Sequence, residues 1–144
     1  MKVKIKKLKP QANLPEYQTE QAAAMDLHAC IDAPMEVAPM ERFMVPTGIA
    51  VELPEGYEAQ VRARSGLSIK KGLSLINGIG TIDADFRGEI NVLMINLSQE
   101  KVTIDPNMRI AQLVLSRFEK IEWEESQELT KTERGDGGYG STGA

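Results

Sequence analysis

The stretch best suited to chemistry runs from Asn77 to Glu89 and reads N-G-I-G-T-I-D-A-D-F-R-G-E. Asp83 follows two glycines and the apolar Ile82 there, and an acid between glycine-rich approaches is suited to the floor of a small-molecule site. Glycines let a ligand approach the backbone closely, so that N–H and C=O groups recognise it. Strand-like runs flank the stretch, which predicts a β-hairpin. An acidic turn without a ligand is the plain alternative, and the stretch taken alone favours it.

A second group is the tripeptide Arg64–Gly66, R-S-G, which follows the alternating run Tyr57–Ala63. The run predicts a strand, and the residues after it predict a short helix with Ser65 as N-cap and Gly72 as its left-handed end. A strand-to-helix junction offers free backbone N–H groups, and here also a hydroxyl and a guanidinium. This is typical of an anion site, although Arg64 could equally be a surface charge.

Two further polar residues lie inside apolar runs that predict strands, Asp26 in Ala22–Cys30 and Gln112 in Arg109–Phe118. The simplest interpretation of Asp26 is a residue that faces solvent. A buried amide must find hydrogen-bond partners, so Gln112 is either a structural bridge or a ligand contact. The sequence slightly favours the bridge.

The composition excludes several classes of function. A length of 144 residues suggests one domain with a core, and a net charge of −4 argues against broad nucleic-acid binding. Cys30 and His28 are the only residues of their types, which excludes an intramolecular disulfide, a cysteine-based zinc site and a two-histidine metal site within one subunit. No apolar run approaches the ~20 residues needed to span a bilayer. The basic start lacks an apolar segment behind it, so we expect a first strand and a cytoplasmic location.

About eight to ten short strands with Gly/Pro turns and one short helix predict an all-β sandwich, barrel or jelly roll. We expect residues 1–123 to form this domain, with Ile121–Trp123 completing its core. Residues 124–144 are polar and end in a Gly-rich tail. The tail formally matches a dinucleotide fingerprint, but no strand precedes the match and no helix follows it. Its plain interpretation is a frayed terminus, yet its arginine, hydroxyls and tyrosine suit a phosphorylated aromatic ligand.

Five separated segments together resemble the trimeric dUTP pyrophosphatase (dUTPase) family in order, spacing and content. The five segments are A-A-M-D-L (Ala23–Leu27), R-S-G-L (Arg64–Leu67), the stretch Asn77–Glu89, R-I-A-Q-L (Arg109–Leu113) and R-G-D-G-G-Y-G-S-T-G (Arg134–Gly143). The resemblance covers nearly the whole chain and implies a distorted jelly roll or β-barrel that forms a homotrimer. Each of three active sites would draw on all three subunits. The implied reaction converts dUTP and water to dUMP and pyrophosphate with Mg²⁺, which keeps dUTP out of DNA and supplies dUMP for thymidylate synthesis.

The resemblance also implies roles for single residues. Asp83 matches the acid that activates the attacking water, and Gln112 matches the glutamine near that water and the α-phosphate. Ser65 lies near the bond to be broken, and Asp26 matches the acid that holds the metal through water. The implied substrate contacts are Arg64, Ser65 and Gly66 on the phosphates; Asn77, Gly80, Thr81, Ile82, Asp83 and Asn91 on uracil; Phe86 on the deoxyribose; and Arg134, Gly138, Tyr139, Gly140, Ser141 and Thr142 in a lid.

Three positions depart from the family pattern, which usually has Gly at Ala24, Tyr at Phe86 and Phe at Tyr139. None of these positions carries a group that does chemistry. One alternative is a dCTP deaminase or bifunctional deaminase–dUTPase of the same fold, but that branch resembles R-S-S at the second segment and uses a glutamate as base. The other is a non-enzymatic jelly-roll binding module, which gives no reason for Asp83 and Gln112 to occur together with the tail.

Overall fold

The computed structural model describes residues 1–138, which form short antiparallel strands and one short helix. The strands are β1 (Lys4–Lys7), β2 (Glu16–Tyr17), β3 (Met25–His28), β4 (Met35–Val37), β5 (Arg42–Pro46), β6 (Ile49–Glu52), β7 (Tyr57–Ala63), β8 (Leu73–Leu75), β9 (Gly80–Ile82), β10 (Asn91–Asn96), β11 (Val102–Ile104) and β12 (Arg109–Arg117), and the helix is α1 (Ser65–Lys71). The all-β prediction with one short helix is confirmed. Twelve strands replace the expected eight to ten, because pieces as short as two residues pair.

The strands form a five-stranded sheet in the order β2-β3-β12-β7-β9, a three-stranded sheet in the order β5-β10-β8, and the pairs β1-β6 and β11-β4. Several neighbours, such as β3 and β12, are far apart in sequence, as expected for a jelly roll. One face of the five-stranded sheet enters the core, where Leu113 of β12 is paired with Val61 of β7 and both are buried. The opposite face carries the intervening polar residues.

The N-cap of the helix lies one residue earlier than the sequence predicts. Arg64, not Ser65, is the N-cap, and no side chain caps the helix. Arg64 still has the extended conformation of the preceding strand, and its carbonyl accepts the N–H groups of Leu67 and Ser68. The predicted left-handed end at Gly72 is confirmed, with φ 65°. Within residues 1–138, no helix combines the length and apolarity required to cross a bilayer.

The prediction that Ile121–Trp123 completes the core is wrong. The last strand ends at Arg117, and Ile121 and Trp123 are 67% and 87% exposed. Arg117 is paired with Tyr57, the first residue of β7, so the sheet offers no partner strand for the residues that follow.

Asn96 is a fully buried amide that organises the connection between β10 and β11. Its Nδ2 donates to the carbonyls of Val37 (3.1 Å) and Glu100 (2.8 Å). Its Oδ1 accepts from the N–H (2.9 Å) and the hydroxyl (2.7 Å) of Ser98. One side chain thus pairs with polar groups of three residues, one in β4 and two in the β10–β11 connection, that would otherwise lack these partners.

We therefore expect Asn96→Ala to lower the free energy of unfolding by about 2–3 kcal/mol, because it strands buried polar groups. Chemical denaturation at one fixed protein concentration measures the change. Gln99→Ala, an exposed change in the same connection, is the control and should shift stability by less than about 0.5 kcal/mol. Equal losses for the two variants would contradict this assignment.

Candidate active site

The stretch from residue 77 to residue 89 does not form a simple hairpin. The flanking strands β8 and β10 do pair, with Leu75 opposite Met94. Between them, β9 leaves this sheet and pairs with β7, where Gly80 lies opposite Val61. The stretch therefore connects the two main sheets, and its backbone borders a cleft between them.

This cleft is a small cavity of about 150 Å³. Its lining residues are Val61, Asn77, Gly80, Thr81, Ile82, Asn91 and Leu93. The sequence predicted five of the seven, and the structure adds Val61 and Leu93, which no local motif marks. A Cβ on Gly80 would lie 3.2 Å from the Cβ of Val61, so a side chain there would crowd the cavity. The size suits one heterocyclic ring better than a whole drug-sized ligand.

Asp83 and Phe86 come just after β9 and do not line this cavity. The Asp83 side chain is exposed and forms no salt bridge with any residue in the described part of the chain. The Phe86 ring is partly exposed and lies against Gly88, where an added Cβ would come within 2.6 Å of its Cζ. Arg87 closes the turn by donating to the carbonyls of Ala84 (2.6 Å) and Phe86 (3.0 Å). We call the cavity residues, Asp83 and Phe86 the base-side cluster.

Asp26 does not face solvent, which corrects the sequence interpretation. It is 2% exposed, and two arginines from distant segments pair with it. Its Oδ1 accepts from Nε of Arg64 (3.0 Å) and its Oδ2 from Nη1 of Arg109 (3.2 Å). Burial of an unpaired carboxylate would be very costly, so the two guanidinium groups account for its place in the sheet.

Gln112 lies directly opposite Asp26 in the β3–β12 pair, so the two side chains share one face of the sheet. It is partly buried, and its amide forms no side-chain hydrogen bond within residues 1–138. The structural bridge that the sequence slightly favoured is therefore absent from this part of the chain. The amide is free to contact a ligand.

Ser65 and Gly66 open α1 next to Arg64 and are exposed. Along the helix, backbone N–H groups first find partners at Leu67 and Ser68. The N–H groups of Ser65 and Gly66 therefore remain available to a ligand. We call Asp26, Arg64, Ser65, Gly66 and Gln112 the phosphate-side cluster. The R-S-G prediction of an anion site agrees with this geometry.

Asp83 of the base-side cluster and Arg64 of the phosphate-side cluster lie at opposite ends of β7. Ile82 is paired with Ala59, so Asp83 lies level with Glu58, whereas Arg64 follows the last residue of the strand. Six residues of strand separate these levels, about 20 Å at a rise of ~3.3 Å per residue. Asp83 and Arg64 of one chain therefore cannot contact the same phosphate group.

His28 and Arg109 adjoin the phosphate-side cluster, and the sequence assigned neither a role. They are opposite each other in the β3–β12 pair. Burial lowers the pKa of His28, and this effect outweighs the opposing influence of the Asp26 carboxylate. His28 is therefore neutral at pH 7 and adds no charge to the cluster. The only sequence signal for Arg109 is its position at the start of R-I-A-Q-L.

Of the predicted lid, the structure describes only Arg134 and Gly138. Arg134 is exposed, and its Nε donates to the carbonyl of Gly137 at 2.8 Å in a local turn that reaches Gly138. The other predicted lid residues lie outside the described residues; they are Tyr139, Gly140, Ser141 and Thr142.

The described residues contain no group of three His, Cys, Asp or Glu side chains that could hold a metal directly. Asp26 fits an outer role, since each carboxylate oxygen retains an acceptor position beside its arginine contact. Mg²⁺ often keeps several waters and binds through few carboxylates plus substrate phosphates, which agrees with this donor set.

The dUTPase family model matches residues 10–143 of the chain. The deoxyuridine 5'-triphosphate nucleotidohydrolase of Rickettsia felis is 53% identical over 142 residues, which are 98% of this chain and 96% of the relative. The enzyme of that name from Hydrogenobaculum sp. is also 53% identical, over 99% of both chains.

Solved structures show the same fold. A variant of the Staphylococcus bacteriophage 80alpha dUTPase with dUpNHpp superposes with a TM-score of 0.89 at 26% identity, covering 99% of both chains. A dUTPase variant from phage phi11 of S. aureus, whose structure concerns a structural Mg(II) ion, has a TM-score of 0.82, covers 91% of this chain and 100% of that one, and at 22% identity shows the fold alone. With the family pattern matched along almost its whole length and relatives above half identity, this chain belongs to the dUTPase family.

Proposed function

We propose that the chain hydrolyses dUTP to dUMP and pyrophosphate as a homotrimer with shared active sites. The relatives described above are nucleotidohydrolases of deoxyuridine triphosphate, and the 80alpha structure contains dUpNHpp. The observation that carries the proposal is that Asp83 and Arg64 lie about 20 Å apart along β7 within one chain. A second copy would bring the other of these two residues to the same substrate. The exposed Ile121 and Trp123 support such assembly, since large apolar side chains of this kind favour burial against a partner.

The base-side cluster accounts for the choice of uracil. The edge of the base pairs with backbone groups of β9 and with Asn77, and cytosine is rejected because its donor and acceptor pattern is reversed. The apolar walls of the small cavity, Val61 and Leu93, leave little room for the 5-methyl group of thymine. Phe86 packs against the deoxyribose and excludes a 2′-hydroxyl. The ring alone performs this last role, so the absence of a tyrosine hydroxyl matters little.

The chemical step needs positioning and charge neutralisation more than covalent chemistry. Asp83 takes a proton from water, whose oxygen attacks the α-phosphorus while the bond from that phosphorus to the bridging oxygen breaks and pyrophosphate leaves. Gln112 orients the water and the α-phosphate, and Ser65 lies near the bond that breaks. Arg64 and the N–H of Gly66 hold the phosphates.

Asp26 would hold Mg²⁺ through water, and the ion would supply neutralisation of the phosphate charge. Arg134 binds the γ-phosphate, and Gly138, Tyr139, Gly140, Ser141 and Thr142 close over the nucleotide. Residues 124–144 thus act as a lid on the domain of residues 1–123, and the exposure of residues 124–136 supports this division. The cytoplasmic location stays a prediction.

Asp83→Asn should lower kcat about 10²–10⁴-fold because it removes the general base. Pyrophosphate release from dUTP measures the rate, and the wild-type protein should release no ammonia from dCTP. Asp85→Asn, an exposed change two residues away, is the matched control and should keep nearly full activity. Full turnover by Asp83→Asn, or an equal loss in the control, would contradict the assignment of the base.

Sites shared between subunits predict complementation. Asp83→Asn and Arg64→Ala should each be inactive as pure trimers. After the two variants are refolded together, mixed trimers should contain up to about one intact site each, so activity returns. Each variant refolded alone is the control. No recovery despite proven mixed trimers would mean that both residues act from the same chain.

Removal of residues 135–144 should lower turnover at least about 10-fold, because the lid no longer covers the nucleotide. Sedimentation should still show the assembly of the intact chain. An unchanged rate would contradict the lid, and loss of assembly would show that the tail has a structural role instead.

A further inference from the structure

Arg109 has no place in the site described so far, yet it is joined to the phosphate-side cluster at two points. Its Nη1 donates to Oδ2 of Asp26 at 3.2 Å, and its carbonyl accepts from Nη1 of Arg64 at 3.2 Å. Asp26 in turn accepts from Nε of Arg64 at 3.0 Å through its other oxygen. Arg64 is thus held by two groups. One is the Asp26 carboxylate, which Arg109 stabilises, and the other is the backbone carbonyl of Arg109 itself.

The pattern of contacts determines which part of Arg64 remains available. A guanidinium carries five N–H donors in a fixed fork, and in Arg64 one donor at Nε and one at Nη1 are used. Both N–H groups of Nη2 are free within the described residues, and the side chain is partly exposed. With Nε and Nη1 held on opposite sides of the guanidinium, the Nη2 group remains to donate to an anion such as a phosphate.

Arg109 controls this orientation through the buried carboxylate. The Asp26 side chain is almost completely buried, so both of its oxygens need partners. Without the Arg109 guanidinium, Oδ2 would have no partner in this part of the chain except Arg64 itself. A bidentate pair between Asp26 and Arg64 would then form, and it would engage the very donors that otherwise face outward.

We propose that Arg109 is a positioning residue for nucleotide binding, which occupies Oδ2 of Asp26 and so keeps Nη2 of Arg64 available to the substrate phosphates. The inference rests on the proposed function. It concerns the phosphate chain alone, since Arg109 does not line the cavity for the base.

The test compares ligands that differ in their phosphates. In calorimetry with Mg²⁺, Arg109→Met should weaken binding of dUpNHpp about 10–100-fold, the usual range for a charge-assisted hydrogen bond. Binding of deoxyuridine, which lacks phosphate, should stay within about 2-fold of the wild-type value because the base-side cluster is intact. Equal weakening for both ligands would indicate a general structural role and would overturn the inference, as would no weakening for either.

Two further variants serve as a conservative replacement and as a matched control. Arg109→Lys retains a cation for Asp26 and should recover most of the affinity for dUpNHpp, whereas a loss as large as that of Arg109→Met would count against the proposal. Arg117→Met makes the same substitution at the other end of β12, where Arg117 stacks on Tyr57, and should leave both affinities unchanged.

A double-mutant cycle separates an indirect from a direct effect. Because Arg109 acts through Arg64, Arg64→Ala combined with Arg109→Met should bind dUpNHpp no more weakly than Arg64→Ala alone. Additive losses would mean that Arg109 contacts the phosphates independently, which contradicts positioning. A wild-type protein that does not hydrolyse dUTP would overturn the proposed function, an outcome distinct from all of these.

Discussion

A carboxylate buried in a sheet must be neutralised, and at Asp26 two arginines from different parts of the chain do so. Arg64 comes from the junction between β7 and α1, and Arg109 from the start of β12. The ion pairs therefore join three segments that are remote in sequence. They also fix the face of the sheet on which Gln112 lies, because Gln112 is opposite Asp26. The geometry of the phosphate-side cluster follows from this one buried charge.

The base-side cluster depends on a different constraint, the crossing of the backbone from one sheet to the other. Gly80 to Ile82 pair with β7, while the strands before and after them pair with each other. This arrangement places Asn77 and the β9 backbone on one side of a cavity and Leu93 on another. Selection against a single methyl group by such a cavity is worth only about 1–3 kcal/mol.

Asp83 and Arg64 lie at opposite ends of β7, and this separation is the ground on which we propose a site divided between copies of the chain. In that proposal, one cluster supplies the acid that activates water and the other supplies the groups that bind phosphate. Activity would then depend on assembly. The proposed division would also explain how a small domain with one histidine and one cysteine supports a demanding phosphoryl transfer through positioning and charge.

The sequence by itself determined the all-β class, the strands Tyr57–Ala63 and Leu73–Leu75 and the left-handed end at Gly72, because alternation and glycine punctuation are local signals. The segments shared with the dUTPase family also identified most of the cavity residues. Only the tertiary structure decided that Asp26 is buried and that Trp123 is exposed. Burial depends on which distant strands and side chains meet, and nothing in the residues adjacent to either position carries that information.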